Sequence, residues 1–542
     1  MNFTILASLI IVVLGLYFRI IPYEHIQGLW NDEYVGWFIS QKPLLQPFIK
    51  AMLEQCHLPL YYVFLKIYTS IFGNSDVVLR SSSTIIGLIS IVTMFFVGKT
   101  KSKTLGFVCA FFTAVSGFLI YYSYEVRPYV LIFLLSALSL LFTLRLFEEI
   151  NKKNLFWYLF FNILILLTHT LGFIYVLTNL IIVAMFLKEN KPKYATNIFL
   201  TVGVFFLLIT PIIIKIFTTI SYSQWWGISS FSKLAFMFTD MFSNYLINLL
   251  NAPANLFTAI TPDYFVFGII PTTICVIGLV VSLFAENSNA KKLLIIASVP
   301  TIILLLVSFT SKFVFLSKYN IEVYPIFIYL SMLGLSSIKR YKLKASLIVT
   351  LFVLNIFVLF TPTFKEHFIK PESNKLVAEL LNDAHLKKDD VILFTYYPRE
   401  RFMKYFDYSQ YEIREVHKGN FFYYLTPDTS YQEAVLKGKE IYKPIYTSSN
   451  NPHFSSMIEN EFYQNLKKGS KIAVIFLNSV SMFSDVQLYT ITQNDKYYNS
   501  TPQPYMIFSY VKNYLIKKMN EDLKIVKYEQ NGNWSMIVFE KK

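Results

Sequence analysis

Apolar stretches of close to twenty residues recur from the N-terminus to about Thr361, and nothing else in the sequence restricts the fold as strongly. Crossing a bilayer takes roughly 20 helical residues, and the backbone inside it must satisfy its own hydrogen bonds. Such stretches fall at 3–22, 78–98, 104–122, 128–146, 196–217, 264–284, 292–310, 319–338 and 344–361, with a double pass expected within 155–187. The first lacks a basic leading region and a small-x-small cleavage site, so it reads as a retained span. The expected architecture is a polytopic α-helical membrane protein of about 11 spans. Composition agrees. Charged residues make up 15% of the chain and hydrophobic ones 54%, whereas a soluble domain carries roughly 25% charged residues. A water-soluble enzyme and a disordered chain are both excluded.

The net charge of +15 would ordinarily suggest nucleic acid. Its location argues otherwise: Phe364–Lys542 is nearly balanced, with 24 Lys+Arg and 21 Asp+Glu, so the excess sits in the apolar part. There it follows the loops. The segments 99–103, 145–153, 188–193, 286–292 and 339–344 hold 15 Lys+Arg between them, whereas 121–127, 168–170 and 311–318 hold only Arg127, Lys312 and Lys318. Basic loops stay cytoplasmic. The expectation is therefore a multi-pass protein of the plasma (inner) membrane, N-terminus inside, with long outer loops at 23–77 and 218–263. The first of these loops carries two amphipathic or re-entrant stretches, 42–53 and 58–72. The second carries Trp225-Trp226, which read as interface anchors, and a helical pattern over 231–250. Cys56, Cys109 and Cys275 form neither a disulfide framework nor a zinc cluster.

After Pro362 the composition becomes that of a soluble protein. Apolar runs at 391–396, 471–477, 524–528 and 535–540 read as strands; 371–385, 399–406, 455–466 and 504–519 read as helices. The expectation is two domains, a transmembrane one over 1–362 and an extracytoplasmic α/β domain over 363–542 with a partly parallel sheet. The latter lacks a glycine-rich phosphate loop between strand and helix.

Ionisable residues near a membrane are costly and tend to mark function. Here Asp32, Glu33, His57, Arg80, Glu125, Arg127, His169 and Lys318 all fall at expected outer helix ends, whereas the cytoplasmic face carries only basic loops. Taken singly, each has an ordinary explanation: a solvated carboxylate, a surface ion pair at Glu125 and Arg127, a snorkelling lysine. As a set they fit one chemistry. A carboxylate can act as general base on a hydroxyl. Arg80, Arg127 and Lys318 can neutralise a phosphate group at the bilayer surface. Attack at an anomeric carbon needs a base on one face and stabilisation of a departing phosphate on the other.

At these residues the sequence resembles the GT-C superfamily of polyprenyl-phosphate-sugar-dependent glycosyltransferases. The resemblance is to the bacterial branch related to protein O-mannosyltransferases and lipid A aminoarabinose transferases. It is carried in order over about 1–340 by Asp32-Glu33, His57-Leu58-Pro59-Leu60-Tyr61-Tyr62, Phe72-Gly73 with Leu79-Arg80, Ser123-Tyr124-Glu125-Val126-Arg127-Pro128-Tyr129, Thr168-His169 and Lys318-Tyr319. Leu58 departs from the usual proline. Lys318 stands where arginine is common, which keeps the charge but loses bidentate geometry. The resemblance implies an inverting glycosyltransferase that moves a sugar from a polyprenyl phosphate, in bacteria undecaprenyl phosphate, to an extracytoplasmic glycan, lipid or protein. It also implies Asp32 as catalytic base, with Glu33 and Glu125 shaping the acceptor or metal site. Arg80, Arg127, Lys318 and Tyr319 are expected on the donor phosphate, and His57, Tyr61 and His169 elsewhere in the site. A divalent metal on Asp32, Glu125 and His57 stays open, since no spacing is diagnostic. Two other readings compete: a polyprenyl-lipid transporter or flippase, against which no internal repeat is seen and only Glu322 is suspicious among the span residues, and a non-catalytic membrane scaffold presenting the C-terminal domain.

Overall fold

A computed structural model of the chain describes residues 3–25, 28–54, 58–196, 230–246, 261–284, 288–310, 315–369, 374–387, 390–394, 404–405, 412–415, 467–477, 521–531 and 534–542, with single positions in 197–229. The chain divides into two units, 1–26 with 35–369, and 27–34 with 370–542.

The first unit is helical. Its long apolar helices are α1 (Phe3–Ile20), α5 (Asp76–Lys99), α8 (Tyr129–Glu148), α10 (Gly172–Asn190), α12 (Ile270–Phe284, continuing a π-helical turn over Tyr264–Ile269), α13 (Ser288–Thr310) and α15 (Tyr341–Leu359). Between them lie α2 (Asn31–Gln41, which begins in the second unit), α3 (Gln46–Glu54), α4 (Pro59–Phe72), α6 (Lys103–Val115), α7 (Gly117–Tyr124), α9 (Lys152–Leu166), α11 (Ser232–Phe242), α14 (Tyr324–Ser337) and the short α16 (Pro362–Glu366). Among the described residues seven helices are long and apolar enough to cross a membrane, eight if α6 and α7 are one bent span. The expected eleven are therefore not confirmed. The stretch 104–122 is two helices meeting at 56°; α9 has 15 residues and α14 has 14; 196–217 lies almost wholly outside the described residues. The stretches 42–53 and 58–72 become α3 and α4, whereas α2, which carries Asp32, was not expected as a helix.

Small residues bring the helices together. A Cβ on Gly334 of α14 would sit 1.7 Å from the Gly278 carbonyl oxygen of α12, and one on Gly98 of α5 would sit 2.7 Å from the Gly106 Cα of α6. Without side chains there, backbones approach closely and dispersion can act between helices that gain nothing by leaving lipid. The core runs through α6, α7, α8, α10 and α14, where Phe118, Phe133, Tyr324 and Leu330 are fully buried.

The second unit holds a mixed five-stranded sheet in the order β2-β1-β3-β5-β4, formed by β1 (Val391–Phe394), β2 (Glu412–Glu415), β3 (Lys471–Leu477), β4 (Leu523–Asn531) and β5 (Trp534–Lys541). β1 pairs parallel with β2 and β3, and β5 runs antiparallel to β3 and β4. The helix α17 (Asn374–Asp383) packs Val377, Leu380 and Leu381 against Ile392, Ala473, Ile475 and Val538 of the sheet. The strands expected at 391–396, 471–477, 524–528 and 535–540 correspond to β1, β3, β4 and β5, and the helix expected at 371–385 to α17; β2 was not foreseen. The helices expected near 399–406, 455–466 and 504–519 fall outside the described residues, apart from Lys404 and Tyr405.

Candidate active site

The break between α6 and α7 sets the geometry of the first unit's polar centre. Interrupting a helix leaves carbonyls and an N–H without helical partners, which an apolar interior tolerates only if other groups meet them. Here they are met from three elements. Arg19 of α1, 1% exposed, donates from Nη1 to the Ala114 carbonyl at 3.1 Å and from Nη2 to that of Thr113 at 3.3 Å. Asn244, just past α11, accepts the Gly117 N–H through Oδ1 and donates from Nδ2 to the Val115 carbonyl at 2.8 Å. The Tyr324 hydroxyl pairs with Ser116 Oγ at 2.9 Å and donates to the Met241 carbonyl.

The same contacts aim the segment that follows. Arg19 Nε donates to Ser123 Oγ at 3.1 Å, Thr84 Oγ1 to the Ser123 carbonyl at 3.0 Å, and Ser83 Oγ to the Glu125 carbonyl at 2.6 Å. Gly87 lets α5 come this close, since a Cβ there would sit 2.2 Å from Ser123 Oγ. The Arg127 N–H then bonds the Glu125 carbonyl at 2.8 Å, a tight turn that presents both side chains just after α7. Glu125 is 2% and Arg127 8% exposed.

Three of the expected cations meet aromatic faces here. The Arg80 guanidinium lies 4.6 Å from the centre of the Tyr124 ring, and that of Arg127 lies 5.8 Å from Tyr129. Lys318 Nζ stands 5.4 Å from both Tyr129 and Tyr319. The His169 ring sits between the same two tyrosines, 6.1 Å from Tyr129 and stacked on Tyr319 at 6.5 Å. Arg127, Lys318, His169, Tyr129 and Tyr319 thus form one cluster drawn from three parts of the chain. Ring faces stabilise a cation held away from bulk water, and a group of cations is suited to a phosphate. His169 lies in the turn between α9 and α10. Removal from water, with the charges of Arg127 and Lys318 added, lowers its pKa from 6.5 to about 3. Its Nδ1 accepts the Leu171 N–H at 3.3 Å, so the neutral ring carries its proton on Nε2.

Of the other expected residues, Tyr61 is fully buried edge-on to Tyr62 at 5.4 Å. Both line the spot where Gly36 of α2 passes the Val126 carbonyl, 3.1 Å from where a Cβ would stand. Asp32 and Glu33 occupy the first turn of α2, in the residues grouped with the second unit. Glu33 is fully buried, and its Oε2 accepts the Trp30 N–H at 3.2 Å. That contact is half of a capping box, a third-position carboxylate reaching back to the residue that starts the helix. His57 and the pair Trp225-Trp226 lie outside the described residues. Among the described residues no three of His, Cys, Asp and Glu are grouped to hold a metal.

Asp240 was missed. It is fully buried in α11 and accepts the Ser317 hydroxyl at 2.5 Å, one residue before Lys318. The signal was present: Phe236, Met237 and Met241 form the buried stripe of α11, and Asp240 lies on the same stripe. A carboxylate placed where a core residue belongs marks a polar centre. Glu322, 2% exposed, lies in the turn before α14.

Residues 56–215 match the family profile described as dolichyl-phosphate-mannose-protein mannosyltransferase. A comparison with curated protein sequences finds no match. Among solved structures, the chain is similar to ArnT from Cupriavidus metallidurans in the apo state, with a TM-score of 0.56 at 9% identity over 98% of this chain and 97% of that one. The same enzyme bound to undecaprenyl phosphate gives a TM-score of 0.55 at 10% identity, again over 98% and 97%. The chain therefore shares the fold of ArnT, and residues 56–215, which include Arg80 and Ser123–Tyr129, match the mannosyltransferase family profile.

Proposed function

We propose that the protein is an inverting glycosyltransferase that moves a sugar from a polyprenyl-phosphate donor to an extracytoplasmic acceptor. The observation that carries the reading is the cluster of Arg127 and Lys318 on Tyr129, with His169 neutral beside them. A neutral imidazole can donate to a phosphate oxygen from Nε2 without adding charge to two existing cations. Arg80, against the ring of Tyr124, the residue before Glu125, supplies a third cation. In this reading the phosphate leaves as an anion, so its stabilisation is the protein's main contribution and no general acid is required.

Asp32 takes the acceptor hydroxyl's proton. Supporting this, Asp32 stands in the first turn of α2, in the Asp32-Glu33 pair that the sequence resemblance includes. Glu33 caps α2, and Asp32, partly exposed, is the base in this reading. Glu125 faces the acceptor in this reading. The ArnT structure that shares the fold was solved with undecaprenyl phosphate, which supports that lipid class as donor.

The test is binding in nanodiscs of undecaprenyl phosphate against undecaprenol. The proposal expects the phosphate-bearing lipid to bind and the alcohol to bind at least tenfold more weakly. Equal affinity for both would remove the phosphate cradle and favour a lipid transporter.

A further inference from the structure

The start of α2 is fastened to the C-terminal sheet domain. Gly28 enters at φ +92°, a backbone conformation that glycine adopts without strain. The next residue, Leu29, is fully buried, and its N–H donates to the Tyr405 hydroxyl at 2.7 Å, across 376 residues of sequence. Leu29 precedes the helix, so no helical carbonyl stands behind that N–H. The Trp30 N–H is met by Glu33, and the Trp30 carbonyl opens the helix by accepting from Tyr34 at 2.9 Å. Tyr405 itself packs against the core that α17 forms with the sheet, beside Leu386 and Ile537. Two N–H groups are thus tied down at the entrance to one short helix: one by the helix's own glutamate, the other by the domain at the far end of the chain.

We infer that the C-terminal domain is the positioning element for the base, acting through the Tyr405 hydroxyl on Leu29 and so on the turn that carries Asp32. Tyr405 is a positioning residue, since it touches neither the acceptor nor the donor. The inference rests on the reading of Asp32 as base. A displacement of about 1 Å at a catalytic group can cost a factor of about 100 in rate, so loosening this tether lowers turnover without touching the cations that hold the donor.

The experiment compares full-length wild type, Tyr405→Phe and Asp32→Asn by three measurements: hydrogen exchange at residues 28–34, affinity for undecaprenyl phosphate, and turnover of polyprenyl-phosphate sugars extracted from the cells that make the protein. Wild type is expected to protect the Leu29 amide. Tyr405→Phe, which keeps the ring, is expected to lose that protection, to lower kcat by a factor of about 10 to 100, and to keep donor affinity within twofold. Wild-type exchange and turnover in Tyr405→Phe would overturn the inference, as would loss of donor affinity in step with turnover. If Tyr405→Phe does not accumulate, an unprotected Leu29 amide in wild type overturns it equally. Full turnover in Asp32→Asn would sink the base itself, whereas the exchange result would still decide whether the tether exists.

Discussion

Replacing Asn244 by alanine removes the side chain that closes the α6–α7 break. Two groups then lose their partners outright, the Gly117 N–H and the Val115 carbonyl. The Asn355 carbonyl also loses its bond from Nδ2, at 2.8 Å, but it lies inside α15, where the regular helical bond stays available. Asn244 is 2% exposed, so water does not take its place without reorganisation. A buried donor or acceptor left unmet costs about 1–3 kcal/mol, which gives about 2–6 kcal/mol for the two. Interhelical hydrogen bonds within membranes average nearer 0.6 kcal/mol, because the reference state also finds partners. A loss of about 2–3 kcal/mol is therefore expected. That is a large share of the roughly 5–15 kcal/mol that holds a typical domain together. Thermal unfolding in detergent measures it, with Asn190→Ala as control: Asn190 makes a comparable bond to the Phe186 carbonyl at 2.7 Å, but on an exposed surface, and its loss is expected within about 0.5 kcal/mol. If Asn244→Ala melts with the control, the break is not held by side chains and the account of how Glu125 and Arg127 are aimed is wrong.

Lys318→Ala is expected to weaken undecaprenyl phosphate binding by about tenfold or more, the worth of one charge-assisted bond, with Lys318→Arg close to wild type; equal affinities in all three would remove Lys318 from the donor site. Gly334→Leu is expected to prevent accumulation of folded protein, because its Cβ alone would overlap the Gly278 carbonyl oxygen; a variant that folds with wild-type stability would contradict the close α12–α14 crossing. His169 binds its proton at pH 6.5 when unfolded and only at about 3 when folded, so the folded state is favoured above pH 6.5 and that contribution is lost as pH falls toward 3. Wild type is accordingly expected to lose stability relative to His169→Gln between pH 6.5 and 4, and parallel melting curves across that range would contradict the half-buried neutral imidazole.

How far the sequence carried the fold depended on range. α5, α8 and α15 stood out as apolar runs because a helix within a bilayer is apolar along its length whether it faces lipid or its neighbours. The α6–α7 break was hidden inside such a run: Ser116-Gly117 is a pair known to accompany kinks, but hydropathy does not register it. α2 was invisible for the opposite reason, since Asp32 and Glu33 dilute its apolar face. At the site, Arg127, His169 and Lys318 were legible as charges at helix ends, and the folded chain gathers them on Tyr129 and Tyr319. Asp240 was legible only as a carboxylate on an apolar stripe, and Tyr405 not at all. Their contacts, to the Ser317 hydroxyl and the Leu29 N–H, lie far away in sequence, and no local spacing encodes them.

Sugar transfer by Asp32→Asn, measured alongside its affinity for undecaprenyl phosphate, bears most directly on the proposed mechanism. The amide keeps the shape of the side chain but cannot take a proton. Turnover reduced by a factor of about 100 or more, with donor affinity unchanged, is the expected result. Undiminished turnover would contradict it.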